Sequence, residues 1–256
     1  MTARLAPLDL HAHVDVAIDA AELIALPGIV FAACRTLTES RTALRRRDPR
    51  VIWGAGCHPG LARNHTSFDV AQFEDLVART PYVSEIGLDG SRKGGLERQM
   101  VTFDAILGVL QRQPRLASIH SAGAHDEVLA ALTHRPIRGT VLHWWTGTAE
   151  QTRHAVELGC YFSLNASAVK RIGTLGQLPL DRILPETDHP FGDRTAPRPR
   201  MPGNTTTVET ALGRHYGGSA TEIRTLMWRN LSRLVSETGC SALLNRTLLR
   251  QLAAAG

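Results

Sequence analysis

Apolar and polar positions follow two rhythms along the chain. Short runs rich in β-branched and other apolar residues recur eight times, and longer stretches with apolar residues at helical spacing lie between them. The short runs cover 7–13, 28–33, 51–57, 82–89, 116–121, 139–144, 160–165 and 183–188. The helical stretches cover 20–26, 38–47, 68–79, 96–112, 124–133, 149–158 and 166–177, with 205–215 and 221–237 after the last strand. Repetition of this kind builds parallel sheet through right-handed crossovers. Eight strand–helix repeats in 256 residues predict an α/β protein of the (β/α)8 TIM-barrel class, with a doubly wound open sheet as the competing arrangement. The Pro- and Arg-rich segment 191–204 has no apolar period and reads as a loop, and 241–256 reads as a short final helix.

Composition agrees with a folded chain. With 43% hydrophobic and 21% charged residues it resembles a globular protein rather than a disordered one, and no linker divides it, so 1–256 is expected to form one domain. No apolar run approaches the roughly 18 residues a membrane helix needs, and the first seven residues lack a signal-peptide core, which predicts a cytoplasmic protein without membrane contact. Cys34, Cys57, Cys160 and Cys240 are widely separated and are expected to be buried free thiols. The net charge of +5 is a weak pointer to phosphate-bearing partners, because the basic residues are almost all Arg in an Ala- and Arg-heavy chain.

Barrel chemistry sits at the C-terminal ends of the strands. Five of the eight runs end in groups suited to a metal or a substrate: Asp9-Leu10-His11-Ala12-His13, Glu85-Ile86-Gly87-Leu88-Asp89, Ile119-His120, Leu142-His143 and Glu186-Thr187-Asp188. His11 and His13, two apart on a strand, project from one face and can converge on one cation. With 11 histidines, a His-x-His pair arises by chance in about half of such chains. The pair gains weight from its place among the other strand ends. Imidazole mixed with carboxylate suits Zn or Mn, and a carboxylate-rich site suits Mg. His11, His13, Glu85, His120, His143 and Asp188 are too many ligands for one tetrahedral ion; they suit two divalent ions bridged by Glu85, about 3.5–4 Å apart.

The ordered set Asp9-x-His11-x-His13, Gly56-Cys57-His58-Pro59, Glu85-Ile86-Gly87-Leu88-Asp89, Gln99-x-x-x-Phe103, Ile119-His120-Ser121, His143-Trp144-Trp145-Thr146-Gly147, Gly159-x-x-x-Ser163 and Glu186-Thr187-Asp188 resembles the TatD-like metal-dependent hydrolases. The resemblance implies that His11, His13, Glu85 and Asp188 hold one metal and that Glu85, His120 and His143 hold the second. It also implies a divalent-metal exonuclease acting on single-stranded DNA or RNA, with Glu85 and Asp188 catalytic and Asp188 accepting the proton of the attacking water. The ions implied are Mg, Mn or Zn.

Other residues are expected to meet substrate. His58, before Pro59 at the third strand's mouth, and Asp89, on the face of Glu85, are candidates. Arg194, with Arg198 and Arg200, is placed to collect phosphates. Two features depart from the resemblance: Ala122 stands where many family members carry Arg, and the Gly90-Ser91-Arg92-Lys93-Gly94 stretch lacks the usual aromatic and polar residues. His189 follows the Asp188 ligand where the family more often has a small residue, and no role is assigned to it. Of Trp144 and Trp145, one is expected to pack between barrel and helices and the other to line the mouth. The fourth-strand segment is also similar to the TatD-type subunits of a bacterial phage-defence cassette, which implies protein partners. A small-molecule amide or ester hydrolase, and a subunit that cuts only with its partners, are the competing functions.

Overall fold

The computed structural model describes residues 5–91, 95–174 and 178–256. Among them, eight strands alternate with helices: β1 (Leu8–Ala12), α1 (Ala20–Ile24), β2 (Ile29–Ala32), α2 (Leu37–Ala43), β3 (Val51–Trp53), α3 (Ala62–Thr66), α4 (Val70–Val77), β4 (Tyr82–Gly87), α5 (Leu96–Arg112), β5 (Leu116–His120), α6 (His125–His134), β6 (Thr140–Leu142), α7 (Ala149–Glu157), β7 (Tyr161–Leu164) and β8 (Ile183–Pro185). Helices α8 (Thr206–Tyr216), α9 (Ala220–Thr238) and α10 (Arg246–Ala255) follow. Every apolar run read from sequence contains one of these strands, trimmed at its ends. Arg92, Lys93 and Gly94 of the loop after Asp89 lie outside the described residues. Among the described residues no helix is long and apolar enough to cross a membrane.

All strand pairs are parallel, in the orders β1-β2-β3 and β4-β5-β6-β7-β8. Backbone hydrogen bonds cross both breaks between these arcs. At the first, Cys57 N–H donates to Glu85 O, Glu85 N–H to Cys34 O and Ser84 N–H to Ala55 O, all at 2.9–3.0 Å. At the second, Asp188 N–H donates to His11 O at 2.8 Å and His13 N–H to His189 O at 2.9 Å. The parallel βαβ progression gives the (β/α)8 class expected from the rhythm of the sequence.

The buried apolar residues separate into two layers. Leu8, Leu10, Phe31, Ile52, Tyr82, Leu116, Val141 and Leu184 pack together and against Trp228 and Leu231 of α9, filling the barrel away from its mouth. Val30, Ala32, Trp53, Ile86, Ile119, Leu142 and Phe162 instead belong to the layer shared with the surrounding helices. A register irregularity in β1 lies between Asp9 and Ala12, and the Asp9 carboxylate stays outside the ligand cluster. It accepts from Thr187 N–H (2.8 Å), Thr187 Oγ1–H (2.6 Å) and Gly203 N–H (2.7 Å), tying β1 to the chain beyond β8. All four cysteines are buried free thiols.

Two predicted helices differ. The 166–177 stretch contains a 3-10 segment, Ala168–Thr174, and residues 175–177 lie outside the described ones. Asn165 Oδ1 accepts from Ser167 and Ala168 N–H at its start, and the buried Val169 and Ile172 are spaced three apart, the repeat that eclipses side chains in a 3-10 turn. α2 stops at Ala43 instead of reaching 47. Arg46 turns back to chelate Asp48 and to donate to the carbonyls of Val16 and Ile18, bonds that a continued helix would forfeit.

Gly56 has no room for a side chain: a Cβ there would lie 1.7 Å from Cys34 O and 2.4 Å from Ser84 O, both backbone atoms of the β3–β4 break. Gly56→Ala is therefore expected to cost about 3 kcal/mol or more in urea unfolding, the upper range of overpacking. Gly173→Ala, which meets nothing within 4 Å, is expected to stay within about 0.5 kcal/mol of wild type.

Candidate metal centre

Five strand ends deliver six side chains to one point. His11 and His13 come from β1 and the turn after it, Glu85 from β4, His120 from the end of β5, His143 from just past β6 and Asp188 from beyond β8. His13 Nε2 lies 3.5 Å from both Glu85 Oε2 and Asp188 Oδ1, and His11 Nε2 lies 4.0 and 3.8 Å from the same two oxygens. These separations are too long for hydrogen bonds. They are near the roughly 3.4 Å expected between tetrahedral ligands that are each about 2.1 Å from an ion. On the other side of the carboxylate, Glu85 Oε1 lies 2.7 Å from His120 Nδ1 and 3.1 Å from His143 Nε2, and the two ring nitrogens are 3.2 Å apart.

The polar groups left over test the fit to metal. His11 Nε2, Glu85 Oε2 and Asp188 Oδ1 are all buried without a hydrogen-bond partner. An orphaned buried polar group costs about 1–3 kcal/mol, and more when charged. Three of them facing one another with His13 Nε2 form a donor set a divalent cation would satisfy. His11-His13-Asp188 and Glu85-His120-His143 each form a compact group of ligand atoms, so the residues present fit metal.

Neighbouring side chains aim the ligands. His11 Nδ1 meets Ser118 Oγ at 2.8 Å and Ser84 Oγ at 3.2 Å. A proton held there leaves the Nε2 lone pair for an ion, the usual role of an outer hydrogen bond on a metal histidine. The His11 and His143 rings stack at 4.1 Å. Behind His143, the fully buried Glu186 accepts from Trp144 N–H at 3.0 Å, from Asn165 Nδ2–H at 3.1 Å and from the Ser163 hydroxyl, while its Oε1 stays 3.8 Å from His143 Nδ1.

Burial and local charge set the protonation states. Burial pulls His13 down to about 4 and His11 well below the usual imidazole range, leaving both neutral and ready to ligate. Burial opposes the Glu85 charge, but His58, His120 and His143 outweigh it and hold the carboxyl well below its ordinary value. Burial also opposes a charge on His143, yet the flanking Glu186 and Glu85 hold it well above the imidazole range. Asp188 is pushed well above the carboxylate range, chiefly by burial.

The remaining residues singled out in sequence lie around this cluster. His58 Nε2 is 3.3 Å from Glu85 Oε2, and its Nδ1 accepts from Gly60 N–H at 2.9 Å. That bond places the ring proton on Nε2, which faces the carboxylate without a hydrogen bond to it. Asp89 is not in the ligand cluster: its Oδ1 accepts from Ser91 N–H and Oγ–H, and Gln99 clamps its backbone from both sides. The carboxylate is a turn-former pressed against Gly60. Arg194 is exposed at the mouth, its guanidinium 5.6 Å over the Phe191 ring, and that ring meets His13 edge-on at 5.5 Å. His189 donates through Nδ1 to Asp193 Oδ2 at 2.7 Å. Trp145 is fully buried against Phe162 and donates to Thr152, whereas Trp144 stays partly exposed with φ of 41°.

Several residues of the site escape the sequence reading, which names Glu186 within a motif but gives it no role. Ser118 and the role of Glu186 were findable, because each precedes a ligand by two positions along a strand path. Phe191 and Arg35 carry no periodic signal. Arg35 is exposed just beyond β2, close enough for its charge to depress His13, and its carbonyl accepts from His58 N–H and Asn64 Nδ2–H.

The chain is 28% identical over 190 residues to the 3'-5' ssDNA/RNA exonuclease TatD of Erwinia billingiae, covering 69% of this chain and 73% of the relative. It is 25% identical over 205 residues to an uncharacterized metal-dependent hydrolase of Haemophilus influenzae, covering 73% and 78%. Its fold superposes on the crystal structure of YJJV, a TatD homologue from Escherichia coli K12, with a TM-score of 0.77 at 23% identity, over 91% of this chain and 98% of that one. The sequence profile of the TatD related DNases runs through residues 8–236, from β1 into α9 and across every ligand described above, and the chain belongs to that family.

Proposed function

We propose that the protein is a divalent-metal-dependent nuclease that removes nucleotides from an end of single-stranded DNA or RNA. The observation that carries this reading is the division of Glu85: each carboxylate oxygen faces its own set of ligand atoms. The activity named for the Erwinia relative supports the choice of substrate. In this reading His11, His13, Glu85 and Asp188 would hold one ion, and Glu85, His120 and His143 would hold the second. Bound Mg, Mn or Zn would acidify water and neutralise the phosphate and its leaving oxygen.

The chain's own groups do the rest. Asp188 is placed to accept the proton of the attacking water. His58 donates Nε2–H toward a phosphate oxygen above Glu85. Asp89, whose carboxylate lies beside Gly60, adds negative charge near His58 and substrate. Arg194 supplies a positive charge at the rim.

Purified protein with Mg or Mn is expected to shorten end-labelled single strands progressively from one end and to stop in EDTA. Asp188→Asn should lower kcat by about a hundredfold or more, the range for a lost general base. No cleavage by folded, metal-loaded wild type would overturn autonomous nuclease activity and leave a partner-activated subunit or a small-molecule hydrolase. Metal binding provides an independent check. Mn or Zn at about 100 times its Kd is expected to stabilise the wild type by about 2.7 kcal/mol in thermal unfolding. Glu85→Ala should lose most of this gain and retain at most one ion per chain by elemental analysis.

A further inference from the structure

We propose that the loop after β8 is a nucleotide subsite for single-stranded nucleic acid, in which Phe191 stacks a base and Arg198 and Arg200 bind a neighbouring phosphate. The inference rests on the nuclease reading of the metal centre and extends it to residues outside the ligand set.

The loop is built onto a ligand. Phe191 and Gly192 N–H both donate to the carbonyl of Asp188, at 2.7 and 2.8 Å. Gly192 sits so close to Asn165 that a Cβ would fall 2.5 Å from its Nδ2. This anchoring sets Phe191 at the rim, 42% exposed, in a T-shaped contact with His13 and with Arg194 over its ring. An aromatic ring left in water beside a polar centre is available to a partner of its own kind, and a nucleobase is the partner that a phosphodiester substrate brings.

Beside it lies a cavity of about 550 Å³ lined by His189, Pro190, Asp193, Arg198, Pro199 and Arg200. Its one carboxylate is already engaged. Asp193 is buried and accepts from His189 Nδ1, which leaves His189 Nε2 as that ring's free nitrogen. Arg200 donates to Arg194 O at 3.2 Å, linking the cavity wall to the cation above Phe191. Among the described residues Arg198 has no hydrogen bond or ion pair. Charge complementarity therefore favours an anion, and the two proline rings give the apolar walls that a sugar or base requires. On the opposite rim Ala122 offers no charge, and its carbonyl accepts from Gly90 N–H at 2.8 Å.

The test measures binding by the intact, metal-loaded protein, using fluorescence anisotropy with a nuclease-resistant phosphorothioate oligothymidine and an abasic oligonucleotide of equal length. Phe191→Ala should weaken oligothymidine binding about tenfold, within the range for one stacked base, and Phe191→Trp should restore it. The abasic strand should bind both variants and wild type alike, a difference that general damage to the loop would not produce. For the Arg198→Ala/Arg200→Ala double variant, the slope of log affinity against log salt should fall by about 0.7 for each phosphate that the protein no longer neutralises. Unchanged melting temperature and metal content confirm intact protein. The proposal is overturned if wild type fails to bind, if Phe191→Ala binds both strands as wild type does, or if the salt slope of the double variant is unchanged. An acidic peptide that competes while the Phe191 variants bind normally also overturns it, in favour of a protein partner. Cleavage by wild type with unaltered binding by the variants would leave the nuclease reading standing without the subsite; binding lost in the variants with no cleavage by wild type would do the reverse.

Discussion

A carboxylate buried at the mouth of a barrel must find positive charge, and Glu85, only 2% exposed, organises the molecule around that need. Five histidines converge around its two oxygens, two of them also facing Asp188, and the atoms left without partners form a donor set suited to a cation. Isolated in a low dielectric, such a charge would be prohibitive. Shared between two ligand sets, it is the feature that makes the surrounding imidazoles useful. The same residues hold the fold. Glu85, His11, His13 and Asp188 all contribute backbone bonds at the two breaks between the strand arcs, so the ladder that closes the sheet also sets the ligand spacing.

A second layer converts this crowd into directed groups. Ser84 and Ser118 fix the ring of His11, Gly60 fixes the tautomer of His58, and Glu186 gathers Trp144, Ser163 and Asn165 behind His143. Trp144 and Asp188 are the non-glycine residues held at positive φ among the described ones, at 41° and 43°. Both flank Glu186 or the loop that follows it. Uncommon backbone conformations of this kind persist where surrounding bonds over-determine them, and they cluster at functional sites.

The mouth is asymmetric. Around β4 and β5 the loops pack backbone to backbone, with Gly90 against Gly123 so closely that a Cβ would meet Gly123 O at 2.1 Å. Around β2 and β8 stand Arg35, Arg194, Arg198 and Arg200, with Phe191 between the cations and His13.

Much of this was legible in the chain itself. Eight apolar runs determined the strand count and order, because burial on a strand has a period that survives in any linear sequence. Metal-ligand candidates His11, His13, Glu85, His120, His143 and Asp188 could be read because each stands at a strand's end, where parallel topology makes distant residues neighbours. What tertiary structure alone decided were the relations that have no period. Asp9 belongs to the same sequence motif as His11, yet its carboxylate stays outside the centre and accepts from Thr187 and Gly203. Asp89 reads like Glu85 in sequence, yet its carboxylate lies outside the ligand cluster and accepts from Ser91, while Gln99 holds its backbone. Which nitrogen of His58 carries its proton, and whether Phe191 faces water or the core, follow from bonds and packing across loops. Pattern along the chain encodes which face is buried; only the folded backbone decides which groups on that face touch.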